Sequence, residues 1–284
     1  MTIHTSVGAA RLRLREAGIS ATESDLDARL LAQHALGWTT EQFFTDAQSA
    51  APDGFSVRYD GFIDRRTTRE PLAYIVGHRE FWGLDMEVNP AVLIPRPSTE
   101  FIVEAALELF PDRARPMSVA DICTGSGCVA VAFAHERPAA TVLATDISAS
   151  ALDVARRNAE RHGVASRVTF RRADLLDGID QSFDAIVANP PYVVDNAGPA
   201  LSPEVGVHEP SVALFGGHDG MGLITRLVAE APSRLRTGGY LVFEFGLGMD
   251  VEIEALLAKA PELTMIGARR DLQGIWRTVI AQRR

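Results

Sequence analysis

The segment Asn189-Pro190-Pro191-Tyr192 carries residue types that could hold a planar NH2 group for reaction. Such a nitrogen is a poor nucleophile because its lone pair is delocalised into the attached carbonyl or ring, so it must be aimed. The side-chain oxygen of Asn189 and the carbonyl of Pro190 can accept its two N–H bonds, while Tyr192 covers its flat face. The prolines fix φ and remove N–H donors that would compete for these acceptors. We therefore predict that Asn189, Pro190 and Tyr192 are catalytic and that all four residues bind the substrate.

Upstream, an apolar run leads into the loop Thr124-Gly125-Ser126-Gly127-Cys128, and an apolar stretch with helical character follows it. This order is typical of a strand, a glycine loop and a helix. Glycines let backbone N–H groups approach a ligand closely, and their spacing satisfies the G-x-G-x-x-G/A pattern of dinucleotide sites. We predict that the loop binds a nucleotide-like cofactor, which on this motif alone is either NAD or S-adenosylmethionine.

Acidic residues follow the next two predicted strands. Asp146 comes 21 positions after Gly125, where a carboxylate can accept hydrogen bonds from ribose hydroxyls, which both cofactors offer. The alternative for Asp146 is a helix N-cap, although Ser148 is the better cap. Asp174 can accept a bond from an adenine amino group, and Leu175 can pack on the ring face. A turn aspartate is the alternative for Asp174.

Four successive strand ends thus carry Gly125, Asp146, Asp174 and Asn189. The carboxyl ends of parallel strands meet at one edge of a sheet, where open α/β folds bind ligands. Taken alone, the motif Asn189 to Tyr192 is equally typical of a strand that ends in a proline turn. A nicotinamide enzyme has no need of an amine clamp, so the combination predicts methyl transfer from a sulfonium to an amide or ring amine.

Several motifs resemble class I S-adenosylmethionine-dependent methyltransferases that act on amine nitrogens. These motifs are Asp121 to Gly127, Asp146 to Ser148, Asn158-Ala159 and Asn189 to Tyr192. Further segments are similar to the HemK/PrmC family, which methylates a glutamine side-chain amide in peptide chain release factors. These segments are Arg69 to Gly77, Glu80-Phe81, Leu93 to Glu100, Glu209 to Gly217 and Asp271 to Gly274. Ser98 and Met249 stand where the family usually has an acidic residue and a glutamine.

The resemblance runs from about residue 65 to the C-terminus. It implies an α/β fold with a class I methyltransferase (Rossmann-like) sheet, helices on both faces, and S-adenosylmethionine as the cofactor. The acceptor it implies is the glutamine of the Gly-Gly-Gln motif of class I peptide chain release factors. Arg96 and Glu100 are candidates for shaping the cofactor pocket, the alternative being a linker arginine and a helix-start glutamate.

Two other function classes fit part of the sequence. Exocyclic amines of nucleic-acid bases fit the same clamp, so a nucleic-acid methyltransferase is the main alternative. The formal net charge of −9 argues against it, because neutralising phosphates requires a basic face. A non-catalytic binding protein that keeps the fold is the third possibility, and the two complete ligand loops disfavour it. We expect release factors as partners and no direct binding of nucleic acid.

Composition is typical of a cytosolic enzyme. The 284 residues are 46% hydrophobic, enough for one large domain and one small domain. The two cysteines, Cys123 and Cys128, flank the glycine loop and form neither a metal nor a disulfide pattern. No metal motif, signal-peptide pattern or apolar run of transmembrane length is present, so we predict a soluble, cytoplasmic protein without a bound metal.

The N-terminal third has a different pattern. Glu23 to Leu36 has leucines on related faces, a capping signal that begins at Thr22 and Gly37 at its end, which predicts a helix. Ser98 is predicted to cap a helix over Phe101 to Phe110, and Trp276 to Ala281 is predicted to be a C-terminal edge strand. The predicted domains are a helical substrate-docking domain (1–75), a β-hairpin linker (76–98) and an S-adenosylmethionine-dependent methyltransferase domain (99–284).

Overall fold

The computed structural model describes residues 1–198 and 200–284. Its α-helices are α1 (Ile3–Glu16), α2 (Ala21–Leu36), α3 (Thr40–Asp46), α4 (Phe55–Thr67), α5 (Leu72–Val76), α6 (Glu100–Leu109), α7 (Cys128–Glu136), α8 (Ala149–Arg161), α9 (Pro203–His208), α10 (Gly222–Arg234) and α11 (Asp250–Ala258). Its strands are β1 (His78–Phe81), β2 (Leu84–Glu87), β3 (Met117–Ile122), β4 (Ala140–Asp146), β5 (Val168–Arg172), β6 (Phe183–Ala188), β7 (Leu235–Glu244), β8 (Leu263–Arg270) and β9 (Trp276–Arg283). The chain forms two compact units, the first of Met1–Gly77 with Ser202–His208 and the second of His78–Leu201 with Glu209–Arg284.

The first unit is helical and has its own aromatic core. Phe55 and Tyr59 of α4 are buried and stack with their ring centroids 5.0 Å apart. The hydroxyl of Tyr59 donates to the carbonyl of Ala28 at 2.8 Å, so the one polar atom of this ring is satisfied inside the core. Helix α2 ends at Gly37 in the left-handed conformation, as predicted, but its cap is Ser20. The capping signal at Thr22 therefore lies inside the helix.

Helix α9, from a much later part of the chain, belongs to this helical unit. Its Glu204 accepts hydrogen bonds from Arg66 at 3.0 Å and from Arg69 at 2.8 Å. Arg66 is buried and also donates to Asp27 at 2.7 Å. Burial works against ionisation of Glu204, but the bonds from the two arginines lower its pKa to about 2. These charge-assisted bonds hold α9 to the helical unit.

The second unit contains a seven-stranded sheet of order β5-β4-β3-β6-β7-β9-β8. Strands β5, β4, β3, β6 and β7 run parallel, while β9 is antiparallel to both β7 and β8. The assignment of β9 as an edge strand is wrong. Its buried centre, Val279 to Ala281, pairs with β7, and the half-exposed β8 forms the edge instead.

Helices cover both faces of this sheet, as predicted. Helices α6, α7 and α8 pack on one face, where Val119 and Val142 belong to a core with Val131 and Phe133. Helices α10 and α11 cover the other face, where the core includes Ala120, Ile122 and Leu227. Alternate residues of β3 thus point into different cores, which explains its nearly continuous apolar sequence.

The hairpin of β1 and β2 precedes the start of α6. A short 3-10 turn, Pro97–Thr99, leads into α6, which begins at Glu100. The prediction that Ser98 caps this helix is wrong, because its hydroxyl donates to the carboxylate of Glu244 at 3.2 Å. Across the described residues, none of the helices combines the length and apolar character needed to span a membrane.

Candidate active site

The carboxyl ends of β5, β4, β3 and β6, which are neighbours in the sheet, open onto a cavity of about 310 Å³. The predicted site residues that line it are Thr124, Ser126, Cys128, Asp146, Asp174, Leu175, Asn189 and Pro191. Four other predicted residues, Gly125, Gly127, Pro190 and Tyr192, do not line it. The arrangement agrees with the rule that open α/β sheets bind ligands at the carboxyl ends of their strands.

Backbone with positive φ occurs in the glycine loop and at two residues that line the cavity. Gly125 and Gly127 have φ values of +54° and +78°. A Cβ atom on Gly127 would lie 2.9 Å from the Cβ atom of Ala155, so this position admits only glycine. Cys123 and Leu175 have φ values of +59° and +50°, an unusual conformation for side chains larger than hydrogen. Both of these residues line the cavity.

Asp146 lies at the end of β4 and binds the glycine loop directly. One carboxylate oxygen accepts the N–H of Gly125 at 2.9 Å, and the other accepts the N–H of Ser148 at 2.9 Å. Ser148 is itself the cap of α8, since its hydroxyl accepts from the N–H of Ala151. Burial raises the pKa of Asp146, although these backbone bonds act in the opposite direction. Each oxygen keeps a second lone pair with which to accept a ligand hydroxyl.

Asp174 has a partner that the sequence did not reveal. Both of its carboxylate oxygens accept from Arg226 of α10 at 3.1 Å. The two side chains are nearly half exposed, so this ion pair contributes little to stability. Both residues line the cavity. A ligand that binds Asp174 would therefore share this carboxylate with Arg226.

Asp121 is a buried carboxyl beneath the glycine loop. One of its oxygens accepts the hydroxyl of Thr124 at 2.5 Å and the N–H of Ala130 at 3.1 Å. Burial raises the pKa of Asp121 to about 7, and the two hydrogen bonds offset only part of this effect. Asp121 thus connects β3, the loop and α7 through one oxygen atom.

We expect the substitution Asp121→Asn to change how the free energy of unfolding depends on pH. The pKa of Asp121 rises from 3.8 to about 7 on folding, so the folded protein holds an extra proton between these values. The stability due to that proton is complete below pH 3.8 and is lost as the pH rises through about 7. Urea unfolding at a series of pH values should show the wild-type protein losing stability relative to the variant between about pH 4 and about pH 7, with no further change above that range. Parallel stability curves for the two proteins would contradict this prediction.

Asn189 follows β6 and is held from one side. Its amide nitrogen donates to the hydroxyl of Thr99 at 3.0 Å, and Thr99 donates to Glu244 at 2.8 Å. The hydroxyl of Tyr192 also donates to Glu244, at 2.9 Å. Burial raises the pKa values of both Glu244 and Tyr192. Tyr192 thus has its hydroxyl fixed away from the cavity lining, and Asn189 keeps its carbonyl oxygen available.

One wall of the cavity is formed by the segment Val212 to Phe215. Glu209, just before it, accepts hydrogen bonds from Arg96 at 2.5 Å and from the N–H of Ile94 at 3.3 Å. Arg96 lines the cavity, as anticipated, whereas Glu100 accepts the N–H of Trp82 at 2.8 Å and does not line it. The bonds at Glu209 therefore fasten this wall to the segment before α6.

Asn158 is a further polar residue that supports the loop. This fully buried side chain of α8 donates to the carbonyls of Ser126 at 2.9 Å and Glu87 at 3.0 Å. It also accepts the N–H of Glu87 at 2.7 Å. The sequence signal for this role is an asparagine on the apolar face of an amphipathic helix, because a buried polar side chain needs hydrogen-bond partners. No group of metal-ligating side chains occurs within residues 1–198 and 200–284.

Comparison with known proteins identifies two family models along the chain. The model for the methyltransferase small domain matches residues 99–202, and that for the PrmC N-terminal domain matches residues 7–77. Among solved structures, the 16S rRNA N2 methyltransferase (RsmC) of T. thermophilus, in complex with AdoMet and guanosine, has a TM-score of 0.52 at 18% identity. The match covers 73% of this chain and 50% of that one, and it shows a shared fold.

Curated relatives match nearly the full length of the chain. The release factor glutamine methyltransferase of Bradyrhizobium diazoefficiens is 40% identical over 95% of this chain and 91% of its own length. The protein of the same name from Nitratidesulfovibrio vulgaris is 39% identical over 96% of this chain and 92% of its own. At this identity and coverage, the chain belongs to the release factor glutamine methyltransferase family.

Proposed function

We propose that the chain transfers a methyl group from S-adenosylmethionine to the side-chain amide nitrogen of the glutamine in the Gly-Gly-Gln motif of class I peptide chain release factors. The observation that carries this proposal is the position of Asn189, at the end of β6 beside a cavity that Asp146 and Asp174 also line. Membership of the release factor glutamine methyltransferase family supports a release factor glutamine as the substrate.

The volume of the cavity and the residues that line it support S-adenosylmethionine as its ligand. Its volume of about 310 Å³ is in the range of small-molecule sites. We propose that Asp146 accepts the ribose hydroxyls, that Asp174 accepts the adenine amino group, and that Leu175 packs on the adenine ring. Three residues of the glycine loop, Thr124, Ser126 and Cys128, line the cavity and are proposed to contact the rest of the cofactor. When bound, the cofactor supplies an electrophilic methyl group on a cationic sulfur.

The amine clamp consists of Asn189, Pro190, Pro191 and Tyr192. The side-chain oxygen of Asn189 and the carbonyl of Pro190 accept the two N–H bonds of the substrate amide, which turns the nitrogen lone pair toward the methyl group. The leaving group is neutral, so positioning and exclusion of water supply most of the rate acceleration. Neither a covalent intermediate nor a general base is needed before transfer, because the methylated nitrogen is acidic and then releases a proton to water or to a backbone acceptor.

We propose that the helical domain, residues 1–75, contributes binding contacts to the folded release factor. Remote contacts can supply the free energy that orients a weak nucleophile, so short Gly-Gly-Gln peptides should react poorly. With a translation factor as substrate, we expect the reaction to occur in the cytoplasm. The net charge of −9 supports a protein substrate over nucleic acid.

A labelled-methyl assay tests this function. The enzyme is incubated with labelled S-adenosylmethionine and, separately, an intact release factor, its Gly-Gly-Gln glutamine→Ala variant, bulk RNA and bulk DNA. We expect label only in the intact release factor. Label in nucleic acid, or equal label in the Gln→Ala variant, would overturn the proposed acceptor.

A further inference from the structure

Glu244, the last residue of β7, is a buried carboxylate that the proposed chemistry does not use. It is 0% exposed and receives three hydroxyl groups. Ser98 and Tyr192 reach one oxygen at 3.2 and 2.9 Å, and Thr99 reaches the other at 2.8 Å. A buried carboxylate is costly unless it is hydrogen-bonded. Glu244 is therefore the common acceptor for hydroxyls on both sides of the amine clamp.

The direction of these hydrogen bonds follows from the donor inventory. The hydroxyl of Thr99 has one proton, and it donates that proton to Glu244 at 2.8 Å. The oxygen of Thr99 then has only lone pairs to offer to Asn189, and it accepts the amide N–H of Asn189 at 3.0 Å. One end of the Asn189 amide is thereby fixed as the nitrogen. The other end, the carbonyl oxygen, is left to face a substrate N–H.

We propose that Glu244 is a positioning residue that acts through Thr99 to fix which end of the Asn189 amide meets the substrate. The proposal rests on the amine-holding role of Asn189 proposed above. If the amide rotated by half a turn, its NH2 group would face the NH2 group of the substrate, and donor would oppose donor. The lone pair of the substrate nitrogen would then no longer point at the methyl group.

The same carboxylate also restrains the aromatic part of the clamp. The ring of Tyr192 lies against the backbone just after β7, where a Cβ atom added to Gly246 would be 3.1 Å from its Cδ2 atom. With its hydroxyl bonded to Glu244 and its ring against Gly246, Tyr192 is held at two points. Strands β6 and β7 are paired directly, with Ala188 opposite Phe243, so Glu244 lies on a rigid neighbour of the clamp.

The substitution Thr99→Val removes the connecting hydroxyl and keeps the shape of the side chain. Turnover of the release factor should fall about 10- to 100-fold, while the dissociation constant of S-adenosylmethionine changes less than about threefold. Thr99→Ser, which restores a hydroxyl, should recover most of the loss. Thr278→Val is the matched control, because Thr278 pairs with Glu244 across the sheet and its buried hydroxyl has no partner among the described residues. The control should keep wild-type turnover.

The substitution Glu244→Gln adds a test of coupling. A glutamine NH2 group at this position can donate to Thr99, which frees the Thr99 proton to point at Asn189 and reverses the bond. Both substitutions break the same chain of hydrogen bonds. The double variant, Glu244→Gln with Thr99→Val, should therefore be about as active as the less active of the two single variants. Multiplied losses in the double variant would contradict a shared chain.

Two outcomes separate this proposal from the function on which it rests. If Thr99→Val and Thr278→Val turn over alike while Asn189→Ala is inactive, the clamp stands and the positioning role of Glu244 is wrong. If Asn189→Ala is fully active, the amine-holding role of Asn189, on which this proposal rests, is itself wrong. Circular dichroism of each variant reports folding, and Thr99→Ser keeps the test decisive should Thr99→Val fold poorly.

Discussion

The substitution Asn189→Ala is expected to reduce methyl transfer to an intact release factor by about 100-fold or more, because a misaligned nucleophile loses at least that much rate. The variant should fold normally, since Asn189 lies at a half-buried position and its side chain bonds only to Thr99 among the residues that the structure describes. S-adenosylmethionine affinity should fall much less than turnover. Single-turnover kinetics with saturating release factor measures the chemical step directly.

Two substitutions of Tyr192, the aromatic residue of the clamp, complement Asn189→Ala. Tyr192→Phe keeps the ring and removes the bond to Glu244, whereas Tyr192→Ala also removes the aromatic face. We expect Tyr192→Ala to impair substrate capture more strongly than Tyr192→Phe does. Near wild-type turnover by Asn189→Ala at saturating substrate would refute the clamp.

The substitution Asp146→Ala should weaken S-adenosylmethionine binding by about 10- to 150-fold, since charge-assisted bonds contribute about 1.5–3 kcal/mol. We expect this loss to have two sources, the proposed bonds to ribose and the bond that holds the N–H of Gly125. Titration calorimetry measures the affinity, with Asp153→Ala as the control. Asp153 is an exposed aspartate on α8 that pairs with Arg156 and does not line the cavity.

An unchanged dissociation constant in folded Asp146→Ala would exclude the ribose assignment. The same calorimeter can compare cofactors, because the glycine spacing alone also fits NAD. We expect S-adenosylmethionine to bind and NAD not to compete. Preferential binding of NAD would contradict the methyltransferase chemistry.

The sequence predicts the strand ends of the site well because their chemistry is local. A glycine loop, a carboxylate after the next strand and an asparagine before two prolines each follow from a short motif. Parallel strands place such motifs at one edge, and the order β5-β4-β3-β6 makes them neighbours. The positions of Gly125, Asp146, Asp174 and Asn189 at that edge were therefore predictable.

The residues that support the site were not predictable, because their partners are distant in sequence. Thr99 and Glu244 are 145 positions apart and meet only because β7 pairs with β6 beside the start of α6. The pairing of Arg226 with Asp174 likewise depends on where α10 packs. Sequence periodicity gives the burial of a strand but not its neighbours, which is why β9 was wrongly assigned to the edge.

Peptide mapping by mass spectrometry identifies the atom that receives the methyl group. An intact class I release factor is incubated with S-adenosylmethionine and the wild-type chain or its Asn189→Ala variant, then digested and fragmented. We expect one added methyl group on the glutamine side chain of Gly-Gly-Gln with the wild-type chain, and little or none with the variant. A methyl group on any other residue, or an equal yield at that glutamine with both proteins, would contradict this expectation.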